Sequence, residues 1–247
     1  YKNYLYEKLQ RNGILEKDCD KMVKSDRVTW GSCMVACGDA DGMVTGNTRH
    51  FSANVEKLAQ SVGTREKEIL FGLCLYVSKG KTILIADTNV IEYPTSEELV
   101  DITISSARIA EMLGFEPKVA LLSHSTFGQP ETDRTKRVRQ AVEMLKNKKV
   151  KFLFDGEMQP DVALNPKFKS TYPFSEIVGN ANVLVMPSIH AAAVSTKMLK
   201  ELGGGKVIGP LLIGLAQPIE VAPLRSSSSE ILNLASIAAY SSEVIKY

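Results

Sequence analysis

The sequence predicts an α/β fold with a largely parallel sheet, and three observations carry that class. Short apolar runs alternate with helix-length periodic stretches through the second half of the 247 residues, the pattern of strands fed by crossover helices. Within residues 182–218, a strand (Val183–Met186), a loop (Pro187–Ser188), a helix (about Ala191–Leu202), a Gly-rich turn and a second apolar run ending at Gly209-Pro210 make a βαβ unit, which requires parallel strands. Phe71–Val77 and Thr82–Asp87, joined by Ser78–Lys81, read as a hairpin and therefore as an antiparallel edge. Ligands of open α/β sheets gather at the C-terminal ends of strands, which here are Pro187–His190 and Gly209-Pro210.

Taken in order, Tyr4–Gln10 has helical spacing and stops near Asn12-Gly13; Glu16–Lys24 and Trp30–Cys37 are further short helices. Asp39–Gly42 is turn chemistry and Met43–Thr45 a short strand with no strand ahead of it to pair with. A polar loop (Gly46–Ser52) follows, and Ser52 caps a helix from about Ala53 to Ser61. Past the hairpin, Pro94 and Ser96 introduce the amphipathic helix Glu97–Leu113, with two acidic residues in its first turn and Gly114 at its end. Val119–Ser123 is a buried-type strand running into a hydroxyl-rich loop, His124–Gly128, and the helix Asp133–Lys146. Phe152–Phe154 begins another strand leading into Asp155-Gly156-Glu157. A short helix near Asp161–Leu164, the βαβ unit, a loop (Ala222–Ser229) and a terminal helix (Glu230–Tyr240), capped by Ser228 or Ser229, complete the chain.

Composition narrows the function classes. The formal net charge is +2, from 30 basic and 28 acidic residues, and no basic stripe calls for nucleic acid or an anionic membrane. The densest basic run, Lys146–Lys151, ends a helix, where cations complement the dipole. Cys19, Cys33, Cys37 and Cys74 form no disulfide or zinc pattern and read as buried small hydrophobes of a reducing compartment. With no long apolar run and no signal peptide, the expectation is a cytoplasmic protein.

The chemistry legible from spacing is modest. His50, His124 and His190 lie in loops or past strand ends without metal-ligand spacing, so no metal is expected. Asp155-Gly156-Glu157 is a weak acid–base candidate, because carboxylates flanking Gly are common at turns. Ser123, Ser125, Thr126 and Gly128 form a better one, since a strand–loop–helix junction can hold an anion on loop hydroxyls and helix N–H groups, although turn and cap roles account for the same residues. Gly203–Gly205 precedes a strand and is no dinucleotide fingerprint.

Several motifs in one order, Asp39–Gly46 (DADGMVTG), Ser123–Gly128 (SHSTFG), Asp155–Asp161 (DGEMQPD), Ala181–Pro187 (ANVLVMP) and Ile208–Leu215 (IGPLLIGL), resemble phosphate acetyltransferases. More closely, through GDADGMVTGNTRHFS, STKMLKELGG and VIGPLLIGL, the chain is similar to the phosphotransacetylase-like C-terminal part of large bacterial NADP-dependent malic enzymes. The resemblance covers essentially residues 1–247. It implies a three-layer α/β/α fold with two subdomains, related to isocitrate and isopropylmalate dehydrogenases. The approximate subdomains are 43–117 with the C-terminal helix region, and 118–240, in a domain lacking its N-terminal portion. It also implies a homo-oligomer, dimeric through this domain, an N-terminal malic-enzyme partner domain, and a cleft for acetyl-CoA or CoA lined by Ser123, Ser125, Thr126, Gly128, Thr48, Arg49, Pro187, His190, Gly209, Pro210 and Arg225.

The family's catalytic set does not carry over. Its Ser-Arg pair and following Asp base fall on Pro223, Leu224 and Glu230; a second arginine falls on Glu56 and a third near Leu9, with Arg11 two residues on. Acyl transfer needs a base to form the thiolate and cations to hold phosphate and the developing oxyanion. The resemblance therefore implies a catalytically silent, acetyl-CoA-binding regulatory module of an enzyme that oxidatively decarboxylates malate, with NADP and a divalent metal confined to the malic-enzyme part. The alternative is an active phosphate acetyltransferase in which Arg225, Arg49 and Glu230 take over the missing roles. A purely structural oligomerisation domain is the third reading.

Overall fold

The computed structural model describes residues 1–244. In chain order it forms α1 (Lys2–Leu9), α2 (Glu16–Ser25), α3 (Arg27–Ala36), β1 (Met43–Gly46), α4 (Phe51–Ser61), β2 (Phe71–Ser78), β3 (Lys81–Ala86), α5 (Ser96–Met112), β4 (Lys118–Leu122), α6 (Asp133–Lys148), β5 (Leu153–Met158), α7 (Pro160–Leu164), β6 (Val183–Val185), α8 (Ile189–Leu202), β7 (Lys206–Ile213), β8 (Ile219–Ala222) and α9 (Ser228–Val244). The chain divides into two compact units, Phe71–Ile208 and Tyr1–Leu70 with the chain from Gly209 onward. The expected break near residue 117 is not where this division falls. β6 pairs with both β3 and β4, which ties the residues before 117 to those after it.

The unit Phe71–Ile208 is built on a sheet of order β5-β4-β6-β3-β2-β7. β5, β4, β6 and β3 run parallel and β2 runs antiparallel to β3. The hairpin turn places Lys79 (φ 49°) and Gly80 (φ 75°) in the left-handed region, the geometry that matches strand twist in a two-residue connection. The hairpin is antiparallel as expected but is not the sheet edge, because β7 lies beyond β2.

Residues of β4 and β6 are buried on both faces, and that is why these strands read as unbroken apolar runs. One face carries Ile85, Ala120, Leu122, Leu184 and Met186 against Val162 and Ala163 of α7 and Ala192 and Leu199 of α8. Strand alternation turns Leu84, Val119, Leu121, Val183 and Val185 to the other face, toward α5, which packs on β3, β4 and β6. α5 starts with a capping box: Thr95 Oγ1 accepts from Glu98 N at 3.2 Å and Glu98 Oε2 accepts from Thr95 N at 2.7 Å. Thr95, and not Pro94 or Ser96, is therefore the start signal.

In the other unit, α1 to α4 and α9 surround a two-stranded parallel sheet in which Met43–Gly46 pairs with Ile219–Ala222. The missing partner of β1 comes from β8, a strand that the sequence pattern did not reveal. Leu5, Leu9, Cys19 and Cys33 form a buried cluster there. All four cysteines are free; Cys37, at the end of α3, is exposed where burial was expected. Ser52 lies inside α4, whose N-cap is His50 with no side-chain cap. Among the described residues no helix is long and apolar enough to cross a membrane.

Candidate functional site: a cationic cavity at the strand switch point

β4 and β6 are parallel neighbours, paired Val119↔Val183 through Leu121↔Val185. From β4 the chain returns through α6 to β5 on one side; from β6 it leaves through α8 toward β7 on the other. Their C-terminal ends thus mark a topological switch point, where the diverging connections leave a crevice. A cavity of about 320 Å³ occupies it, lined by Ser123 and His124 after β4, Met186, Pro187 and Ser188 after β6, and Arg134 and Arg137 at the start of α6.

The two helices entering the crevice are firmly started. Thr132 caps α6, its Oγ1 accepting from Thr135 N at 3.2 Å while Thr135 Oγ1 accepts from Thr132 N at 2.9 Å. Ser188 caps α8, accepting from Ala191 N at 3.4 Å. Arg134 and Arg137, three residues apart, share a helix face. Arg137 Nη2 donates to Pro187 O at 3.1 Å, and its Nε is buried without a hydrogen-bond partner among the described residues. Burial and the neighbouring Arg134 charge lower its pKa, but a guanidinium stays charged throughout the physiological range. The Arg134 guanidinium lies 5.2 Å from the Tyr93 ring centroid, a cation–π contact. Among the described residues no carboxylate lines the cavity. Such a site attracts an anion and offers no carboxylate to act as a base.

The hydroxyl-rich loop behaves differently from its expected role. Glu157, 0% exposed, sits beneath it in β5 and gathers its donors: Ser125 Oγ at 3.1 Å, Gly128 N at 2.8 Å, and Arg139 Nε and Nη2 at 3.2 Å each. Burial alone would push the Glu157 carboxyl up, but Arg139 and the Gly128 N–H hold it below the usual range. Thr126 Oγ1 accepts from Gln159 N at 3.2 Å. Ser125, Thr126 and Gly128 therefore spend these groups inside the protein and do not line the cavity, whereas Ser123 does. Asp155-Gly156-Glu157 is strand, not turn. Gly156 is required by close approach, since a Cβ there would lie 2.6 Å from Leu121 O.

Of the remaining expected residues, Pro187 lines the cavity, and His190, on the first turn of α8, faces exposed Glu92 at 3.7 Å. Thr48, Arg49 and Arg225 belong to the other unit, as do Gly209 and Pro210, which lie inside β7 and not at its end. There Arg49 pairs with Asp26 at 2.8 Å, Thr48 N donates to Gly46 O at 2.8 Å, and Arg225 N donates to Asn47 O at 3.4 Å. Glu230 closes a capping box on α9: Ser227 N donates to its carboxylate at 2.8 Å, and Glu230 N donates to Ser227 Oγ at 3.3 Å. Ser227 is the cap, in place of Ser228 or Ser229.

The sequence profile described as phosphate acetyl/butaryl transferase matches residues 1–239. The chain belongs to the phosphate acetyl/butaryl transferase family. It is 47% identical over 240 residues to an NADP-dependent malic enzyme of Rhizobium meliloti (strain 1021), covering 97% of this chain and 32% of that protein. It is 33% identical over 258 residues to a phosphate acetyltransferase of Acetivibrio thermocellus, covering 100% of this chain and 76% of that protein. A phosphotransacetylase structure from Streptococcus pyogenes superposes with a TM-score of 0.90 at 30% identity, covering 98% of this chain and 75% of that one. The chain thus spans about a third of the malic-enzyme relatives, matching their C-terminal part. Within the family frame, the positions expected to carry the Ser-Arg pair hold Pro223 and a 45% exposed Leu224, and Glu56 is exposed on α4.

Arg134 and Arg137 escaped the sequence reading because a Lys/Arg-rich helix is normally a solvated face. One signal was available. Cations in a first helical turn oppose the macrodipole, so arginines at the start of α6 require a separate reason to be there.

Proposed function

We propose that this chain is an acetyl-CoA-binding regulatory domain, catalytically silent itself, of a cytoplasmic malic enzyme that oxidatively decarboxylates malate to pyruvate. NADP and the divalent metal belong to the remainder of that enzyme. The observation that carries the reading is the chemistry of residues 223–230. Pro223 and Leu224 supply neither hydroxyl nor cation, and the one acidic group, Glu230, is engaged in the cap of α9. Arg49, a substitute cation in the alternative reading, is paired with Asp26. Family membership and the similarity to malic enzymes support the regulatory assignment, and the cationic cavity supports binding of an anionic ligand. Helices on both faces of the Phe71–Ile208 sheet support the three-layer relationship to isocitrate and isopropylmalate dehydrogenases.

Regulation here is a coupling free energy between the acetyl-CoA site and malate oxidation, so each ligand changes the other's affinity by the same factor. Isothermal titration of the full-length protein with acetyl-CoA is expected to give saturable binding, and acetyl-CoA is expected to change the malate-oxidation rate. Absence of heat at millimolar acetyl-CoA refutes the assignment. A thiol-release assay with acetyl phosphate and CoA is expected to run at the buffer rate; turnover above it establishes the active-transacetylase alternative.

A further inference from the structure

We propose that the segment Asn89–Pro94, between β3 and α5, is a strap across the mouth of the switch-point cavity, fastened when His190 takes up a proton. Strap, histidine and cavity all belong to the Phe71–Ile208 unit. The device governs access to the cavity whatever occupies it, so it stands apart from the acetyl-CoA reading.

Both ends of the strap are firmly held. At the β3 end the Asp87 carboxylate, 2% exposed, accepts from Gly72 N at 2.6 Å, Asn89 N at 3.2 Å and Ile91 N at 2.6 Å. At the other end the Thr95–Glu98 capping box fixes the start of α5. Between these anchors, Glu92 and Tyr93 touch the first turns of α8 and α6. Ile189 N donates to Glu92 O at 3.2 Å, and Glu92 Oε1 lies 3.7 Å from His190 Nε2. The Tyr93 ring, which lines the cavity, lies 5.9 Å from the His190 ring and 5.2 Å from the Arg134 guanidinium. A few contacts between firm anchors allow a local opening that leaves the rest of the fold intact.

The proton dependence follows from which groups move with the strap. When His190 is protonated, Glu92 gains an ion pair and Tyr93 a second cation beside its ring. Opening the strap removes both. The other charges around the cavity stay in place whether the strap is open or shut: Arg134 and Arg137 on α6, His124 after β4, and the positive end of the α8 dipole. They act on His190 alike in both states and cancel from the difference. The closed state therefore binds the proton more tightly, and a falling pH draws the strap shut. Asp87 works against this. Burial raises the pKa of its carboxyl, and its protonation weakens the root of the strap.

Hydrogen exchange reads the latch directly. Ile189 is the first residue of α8, so its N–H has no partner within the helix, and Glu92 O is its acceptor. The test is exchange mass spectrometry on the full-length protein, as wild type, Glu92→Gln and His190→Gln, between about pH 5.5 and 8. Rates are corrected for the intrinsic pH dependence of amide exchange. In the wild type, protection of peptides carrying Ile189 and the strap is expected to fall roughly threefold to fivefold as pH rises, the range an exposed ion pair supports. In both variants it is expected to be independent of pH. The two side chains are 68% and 70% exposed, so both variants are expected to keep the wild-type Tm. Tyr93→Ala is expected to lower protection at every pH while a slope remains, because Glu92 still faces His190. Access is read by an arginine-directed dicarbonyl reagent at about pH 6.5. Arg137, half-buried in the cavity wall, is expected to react faster in Glu92→Gln than in the wild type.

Wild-type protection that does not change with pH, or a slope that survives in either variant, overturns the proposal. Protection that falls toward acid pH also overturns it and assigns the titration to Asp87. If peptides of β4 and β6 lose protection in step with Ile189, the opening is global and no strap exists. Equal Arg137 reaction rates in wild type and Glu92→Gln refute the gate.

Discussion

Two buried glutamates, one in each unit, solve the same physical problem in opposite ways. Glu157 is 0% exposed and Glu220 is 4% exposed, so burial opposes ionisation in both. Around Glu157 a guanidinium, a backbone N–H and a hydroxyl converge, and the carboxyl is held below its ordinary pKa. Glu220 receives a hydrogen bond from Leu212 N at 2.9 Å and has no such cation among the described residues, and burial pushes it up to about 8. The number and charge of the donors, not depth, decide which carboxyl keeps its proton. The charged one also shapes the cavity: by gathering Ser125, Gly128 and Arg139 it fixes the loop whose first residue, Ser123, lines it.

The largest expected effect comes from removing the charged partner. Glu157→Ala removes the buried partner of Arg139, which keeps its contact with Glu131, and leaves the Ser125 and Gly128 donors unsatisfied; breaking such a pair from its buried side is expected to cost about 3 kcal/mol. Denaturant unfolding at neutral pH is expected to show that loss. A loss below 1 kcal/mol would mean that the network is ornamental. The pH dependence has a definite sign. Because the folded pKa of Glu157 is depressed, its contribution is present above the unfolded value of 4.5 and is lost as pH falls through the folded pKa.

Glu220 runs the other way. Its folded pKa lies above 4.5, so between 4.5 and about 8 the folded state holds a proton that the unfolded state has released, and stability falls as pH rises. Glu220→Gln keeps an acceptor for Leu212 N and removes the titration. It is expected to stabilise the protein by about 2–4 kcal/mol at pH 8, a gain that shrinks toward nothing near pH 4.5. Unfolding midpoints across that range check it. A variant no more stable than wild type at pH 8 breaks the contrast between the two glutamates.

The same contrast explains what was legible in the sequence. Periodicity located β4, β6, α5 and α8 because their patterns reflect sheet faces and helix stripes that any packing must satisfy. Glu157 was read as a turn residue, since the reason for Gly156, the close approach of Leu121 O from β4, exists only once the strands are paired. The Ser125, Thr126 and Gly128 groups looked available for an anion because the internal carboxylate that claims Ser125 and Gly128 arrives from β5, about thirty residues later. β8 was invisible for a similar reason. Its four residues acquire strand character by pairing with β1, near the other end of the chain. Family motifs located the degenerate positions Pro223 and Leu224, but only coordinates reveal that Glu230 is committed to a cap.

That commitment gives the smallest expected effect and a direct challenge to the silent-domain reading. Ser227→Ala removes the hydroxyl that accepts from Glu230 N and donates to its carboxylate, a loss typical of an N-cap substitution, about 1 kcal/mol. It also loosens the Glu230 carboxylate. If Glu230 were a base restrained only by its cap, the variant would gain thiol-dependent acetyl transfer. The expected result is a Tm lowered by a few degrees and a transacetylase rate still equal to buffer, because Pro223 and Leu224 leave no cation to hold phosphate beside it. Any turnover in Ser227→Ala would show that the cap, and not the missing serine and arginine, keeps this domain silent.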